Sequence, residues 1–253
     1  MDPVSSLLVG HASGKLLDKV WTSFRSQVIE RWSRRRAELF FKEFCEEVSR
    51  HRDCLSPQQL DQTLTEILED DLCSEVLFEA YRHVALSKSR ELGPRIIALL
   101  TAALVNEGRH ASEHEEAMFL AAENLSDDEL LAFAVFVDDE CAKLSDSEGR
   151  ENPLRFKWSS EQFDSNWPRR EGVPTGPINL HECLGRWAVK LKAYGIIADD
   201  VEERQFDYEE NSERHIDQPG SVREISWWII IPAEYLRLVV LIRRANGEEG
   251  ACA

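Results

Sequence analysis

Apolar residues recur at steps of three and four along most of the chain before residue 145, and that period predicts one helix after another. Leu17, Val20, Trp21, Phe24, Val28 and Trp32 open a long amphipathic helix from about Ser13 to Arg50, and Leu39, Phe40, Phe41, Phe44 and Val48 continue it. Ser56-Pro57-Gln58-Gln59 reads as a helix start, with a hydroxyl cap, proline at the first position and Gln three residues on. Leu60, Leu64, Ile67 and Leu68 supply its buried face. A further helix follows Asp70-Asp71, carrying Leu72, Val76, Leu77, Ala80 and Val84. Gly93-Pro94 precedes Ile96 to Val105, apolar nearly all round and therefore expected to be the most buried helix. Ser112 with Glu115 and Ser126 with Glu129 form two more capping boxes.

The pattern then changes. From Ser145 to Asn179 the period lapses, and Gly149, Pro153, Pro168, Gly172, Pro174, Gly176 and Pro177 interrupt any element that might start, which predicts a connector. Asn179 caps a helix with Leu180, Cys183, Leu184, Trp187, Leu191 and Tyr194 inward, ended by Gly195. A short Ile196-Ile197 run enters a polar loop from Asp199 to Gly220, Ile225 to Ile231 reads as a buried strand, and a helix from Ala233 to Arg244 closes the chain. The fold class expected is mainly α. A multi-helix N-terminal bundle, residues 1–148, is followed by a connector, 149–177, and a small α+β winged-helix-like unit, 178–253.

Charge singles out the middle of the chain. Asp53 to Glu151 holds 23 Asp or Glu against 7 Lys or Arg, a net −16 of the chain's −17. A surface that negative repels phosphate backbones and attracts basic surfaces, so a basic protein partner is expected. Asp127, Asp128, Asp138 and Asp139 are its candidate contacts. Trp158 and Trp167 lie in the connector beside Arg155, Lys157, Arg169 and Arg170; they either pin the connector to the helical domain or anchor a partner. The Arg34-Arg35-Arg36 triplet reads as a solvated turn of a core-packing helix.

Six scattered cysteines without paired spacing, and a start lacking the features of a secretory signal, point to reduced thiols and a cytoplasmic location. The apolar stretch from Ile225 to Ile242 is interrupted by Pro232, Glu234 and Arg237 and is not expected to span a membrane.

Motifs with chemistry are scarce. Gly10 to Lys15 is one residue short of a phosphate loop, and Leu16 stands where Ser or Thr would hold magnesium. His110 and His114 lie four apart, but a cap at Ser112 leaves His110 outside the following helix, so surface histidines are expected. The clusters Glu69-Asp70-Asp71, Asp127-Asp128-Glu129 and Asp138-Asp139-Glu140 lack the alternating spacing of a calcium loop and read as caps and solvated faces. No metal, cofactor or catalytic residue is expected, and the protein is read as no enzyme.

The C-terminal unit raises nucleic acid as the alternative. Arg186, Lys190 and Lys192 on the candidate helix suit phosphates. The presumed wing from Asp199 to Glu213 has Arg204 as its one base, a charge that pushes DNA away.

Two resemblances follow from these elements. LFEAYRHVALSKS, NLSDDELLAFAVF and LHECLGRWAVKLKAYGII, with a distal strand and helix, are laid out like the bacterial abortive-infection alpha proteins. That resemblance implies a helical region, a winged-helix-like end and a role in phage defence. ALLTAALVNEGRHASEHEEAMFLAAENLSDDEL resembles the helical hairpin of tellurite-resistance TerB-like domains, with Asn106 at the position of a metal-binding Asp and Glu116 matching a later acid. Together these readings lead to the expectation of a non-catalytic bacterial recognition protein in phage defence, toxin neutralisation or a stress response. The alternative is a winged-helix transcriptional regulator with a helical sensor or dimerisation domain.

Overall fold

The computed structural model describes residues 33–52, 56–143, 154–164, 179–208 and 220–248. Among these residues there are nine α-helices and three strands: α1 (Ser33–His51), α2 (Pro57–Glu69), α3 (Asp71–Leu86), α4 (Leu92–Glu107), α5 (Glu113–Asn124), α6 (Asp127–Lys143), β1 (Leu154–Asp164), α7 (Leu180–Cys183), α8 (Arg186–Ala193), β2 (Ala198–Tyr208), β3 (Gly220–Ile231) and α9 (Leu236–Ala245). The protein is mainly helical with a small antiparallel sheet toward its C-terminal end. It divides into two compact units. One runs up to Ala134 and resumes from Leu238; the other is Val135–Arg237.

In the first unit local chemistry starts the helices where the pattern places them. Ser56 Oγ accepts from Gln59 N while Ser56 N donates to the Gln59 side chain, a reciprocal cap that satisfies two otherwise unpaired donors. Ser112 with Glu115 and Ser126 with Glu129 repeat it for α5 and α6. The Asp70 carboxylate accepts from Cys73 N and opens α3. Helix α4 is the centre of the unit and packs against α1, α3 and α5. Ile96, Ile97, Leu100 and Leu104 are wholly buried, joined by the stacked rings of Phe40 and Phe44 from α1 and by Met118 from α5. The first half of the predicted N-terminal helix lies outside the described residues, and the described half begins at Ser33.

Helix α9 is held to α1 by a buried charge. Glu47 accepts from Arg244 Nη2 at 2.6 Å and from Arg50 Nη1 at 2.7 Å, and Arg95 Nη1 donates to the Ala245 carbonyl at 2.9 Å. A carboxylate so deep in the protein is tolerated because cations and hydrogen bonds surround it.

In the second unit the sheet order is β1-β3-β2, both pairs antiparallel. Period-2 alternation puts Leu154, Phe156, Trp227, Ile229 and Ile231 on a buried face. There Phe136 makes ring contacts with Phe156 at 5.9 Å and Trp187 at 5.6 Å.

Three expectations are corrected here. The aperiodic connector holds a strand, β1, whose pairing with β3 shifts register between Lys157 and Ser159; Trp158 is the extra residue of that bulge and is 37% exposed. The stretch after Asp199, read as a polar loop, is strand β2 as far as Tyr208, an edge strand without apolar alternation because neither Val201 nor Phe206 is buried. The helix expected from Asn179 to Gly195 is two helices. Gly185, at φ 93°, breaks it in a backbone region that side-chain-bearing residues rarely enter, and Gly195, at φ 74°, ends the second as expected.

Candidate functional site

The acidic excess does not fall where its densest clusters suggest. Asp127 is turned inward: its carboxylate accepts from Ser89 Oγ and from the N–H groups of Leu92 (2.9 Å), Arg90 (3.1 Å) and Glu91 (3.3 Å). Helix α4 has no capping side chain of its own at Glu91, so Asp127 caps it from 35 residues away. Burial opposes the charge on Asp127, but the donors from Ser89 and the three amides outweigh it and hold the carboxyl below its ordinary range. Its neighbour Asp128 is exposed. Asp138 and Asp139 lie further along α6 and belong to the second unit, Asp139 exposed and Asp138 half-buried. Trp158 sits in the β1 bulge, and Trp167 lies outside the described residues.

Carboxylates converge instead on a groove of the first unit. Glu75 and Glu79 stand one turn apart on α3, and His83 follows at the next turn, so all three share one side of the helix. Glu116, Phe119 and Leu120 face them from α5, and Leu104 of α4 contributes to the lining. The resulting pocket has a volume of about 320 Å³. Its one arginine, Arg82, is engaged by Glu79 at 2.9 Å. Among the described residues neither Glu75 nor Glu116 forms an ion pair. On the pocket wall Leu120 is 38% exposed, so acidic and apolar groups share this surface.

The least exposed polar group of the pocket is an imidazole. His83 Nδ1 lies 2.6 Å from Glu123 Oε2, and the ring stacks on Phe119 at a centroid distance of 5.4 Å. Both partners of the pair are well covered, with side chains 13% and 16% exposed. The residues of this pair stand 40 apart in the chain, and neither carries a local motif, so spacing alone could not reveal them.

His110 precedes α5 and is exposed, as the Ser112 cap requires, and lines the same pocket; His114 is exposed on α5. Among the described residues no three His, Cys, Asp or Glu side chains are grouped to hold a metal ion. A second, more open pocket lies between α2, α3 and the end of α4, where Arg52 Nε donates to Asn106 Oδ1 at 3.1 Å.

On the second unit several acids of β2 and β3 are matched by cations of the same sheet. Arg155 of β1 passes over Trp228 of β3, its guanidinium 4.3 Å from the ring centroid, and reaches Asp200 of β2 at 2.9 Å. Arg223 meets Glu203 at 2.6 Å, Arg204 meets Glu202 at 2.7 Å, and Lys157 meets Glu224 at 2.9 Å. The expected cationic face of α8 is smaller than its sequence implies: Lys192 pairs with Asp199 at 2.6 Å, while Arg186 is exposed and Lys190 half-buried. Among the described residues no helix is long and apolar enough to cross a membrane.

Neither a family model nor a curated protein nor a solved structure matches the chain.

Proposed function

We propose that the protein is a non-catalytic recognition protein whose helical unit binds a basic protein partner. The observation that carries this reading is the α3–α5 groove, where Glu75, Glu79 and Glu116 stand around an apolar pocket and the one arginine present is already engaged. Charge of one sign focused in a cleft raises the rate at which an oppositely charged partner is captured, and the apolar groups beside it give the complex a surface to bury. Within this reading the partner contacts expected at Asp127 move to the groove, because Asp127 is committed to the start of α4. A cytoplasmic setting in phage defence, toxin neutralisation or a stress response belongs to the same proposal.

The test is a panel of basic amphipathic peptides titrated against the full chain at low and high salt. Affinity should fall steeply with salt and fall again in Glu75→Gln/Glu116→Gln, and the reading fails if no peptide binds even at low salt.

A second reading takes the Val135–Arg237 unit as a winged helix that binds DNA. Its order of helix, β1, two short helices, β2 and β3, with β3 central, supports that layout. The pairing of Asp200, Glu202 and Glu203 with arginines also reduces the repulsion that the bare β2 sequence implies. Arg186 is then the lead phosphate contact, since Lys192 is held by Asp199. A gel-shift titration with random duplex at low salt separates the two: a shift that Arg186→Ala abolishes supports this second reading, and no shift removes it.

A further inference from the structure

We propose that the α3–α5 pocket seats one arginine or lysine side chain of the basic partner, with Glu75 and Glu116 as its counter-charges and His83 on the wall beside it. The inference rests on the recognition reading above and specifies what enters the groove.

The donor and acceptor inventory leads to it. A carboxylate can only accept, so the contact with Glu123 puts a hydrogen on His83 Nδ1 and commits both groups to each other on the pocket wall. The stack on Phe119 and the contact with Glu123 orient the ring, so His83 forms a defined part of the pocket wall. The three glutamates add acceptors, while the arginine of the lining already donates to Glu79. A carboxylate or phosphate guest would meet the unpaired like charges of Glu75 and Glu116 here, whereas a guanidinium or ammonium finds acceptors on both helices.

The shape agrees with that chemistry. A volume of about 320 Å³ lies at the small end of ligand pockets, enough for one long side chain and not for a folded element. Val76, Ala80, Leu104 and Phe119 offer apolar wall to an aliphatic stem, the part of Lys and Arg that packs on apolar surface while the head stays polar.

The experiment uses Nα-acetyl-arginine methylamide as probe and its uncharged citrulline counterpart as control, titrated into the full chain while the ring resonances of His83 are followed by NMR. The arginine probe should shift those resonances with millimolar affinity, the citrulline probe should not, and Glu75→Gln/Glu116→Gln should weaken binding about tenfold. Both glutamates are exposed, so the double variant keeps the fold. Equal binding of the two probes, or no response at His83, overturns the proposal. A basic peptide that loses affinity in Asp71→Asn/Glu113→Gln but not in Glu75→Gln/Glu116→Gln also overturns it while leaving acidic-surface recognition standing. A chain that seats the arginine probe but binds no basic peptide overturns the partner protein as the source of the cation.

Discussion

Glu115 receives both terminal nitrogens of Arg109, Nη1 at 2.6 Å and Nη2 at 2.8 Å, and so joins the turn after α4 to the first turn of α5. The same carboxylate accepts from Ser112 N and Ser112 Oγ, so it is held by four hydrogen bonds in a nearly buried position. The Arg109 hydrogen bonds, outweighing the cost of burial, lower its pKa from 4.5 to about 2. Because the folded value is depressed, the stabilisation is complete above the unfolded carboxylate range and is lost as pH falls from 4.5 toward about 2. Glu115→Gln should therefore lower stability by about 2 kcal/mol at neutral pH, a loss of about 4–8 °C in Tm, and should flatten the acid limb of a stability-against-pH curve.

Asp127 should behave as a structural residue in spite of its place in an acidic cluster. Removing the carboxylate strands three backbone amides and Ser89 Oγ at the start of the most buried helix. Asp127→Ala is expected to cost about 2–4 kcal/mol in urea denaturation, whereas Asp128→Asn on the exposed neighbouring position should fall within about 0.5 kcal/mol of the parent. Equal effects of the two substitutions would contradict the remote cap.

What the sequence made legible was local. Capping boxes join positions three apart, so Ser56, Ser112 and Ser126 could be placed without a fold, and the apolar circumference of α4 marked it as central. What escaped depends on partners far along the chain. The bulge at Trp158 interrupts the alternation of β1, and β2 lacks alternation because it is an edge whose order comes from main-chain pairing with β3. Segment charge misled as well: the acids of β2 are matched partly by Arg155 and Arg223, which lie on other strands. The remote cap, which joins the starts of α4 and α6, and the His83–Glu123 pair, which joins α3 to α5, are visible only once those helices are packed together.

The described cysteines should divide by reactivity. Cys45 is buried in α1, and desolvation, reinforced by the nearby Glu46 and Asp61, pushes its thiol up to about 12. Burial chiefly, with the Asp70 carboxylate adding to it, pushes Cys73 up to about 11. Thiolate is the reactive form, so both should resist alkylation at neutral pH. Cys183, exposed at the end of α7, should be modified first under native conditions. Peptide mapping after brief iodoacetamide treatment checks the order, and early labelling of Cys45 would mean that α1 is not packed as described.

Gly93 offers a substitution on which helix propensity and packing disagree in sign. It lies inside α4, where replacing glycine by alanine normally stabilises by about 1 kcal/mol. Here the helix start is pressed against neighbouring chain: Ser89 Oγ accepts from Gly93 N at 2.6 Å, and Ser87 Oγ donates to the Ala122 carbonyl at 3.3 Å. A Cβ on residue 93 would lie 2.7 Å from Ser89 Cβ, 2.8 Å from Ser87 Oγ and closer still to the Ala122 carbonyl oxygen. The oxygen and Ser89 Cβ are tied to backbone and cannot swing away, so α4 and α5 must separate or the 87–93 turn must shift. Gly93→Ala is expected to destabilise by about 2–3 kcal/mol net of the propensity gain, read as a lower midpoint in chemical denaturation. Because the displaced turn also carries the donors to Asp127, Gly93→Ala and Asp127→Ala should be less than additive in a double-mutant cycle. Independent, additive losses would show that the turn and the remote cap are not one structural unit.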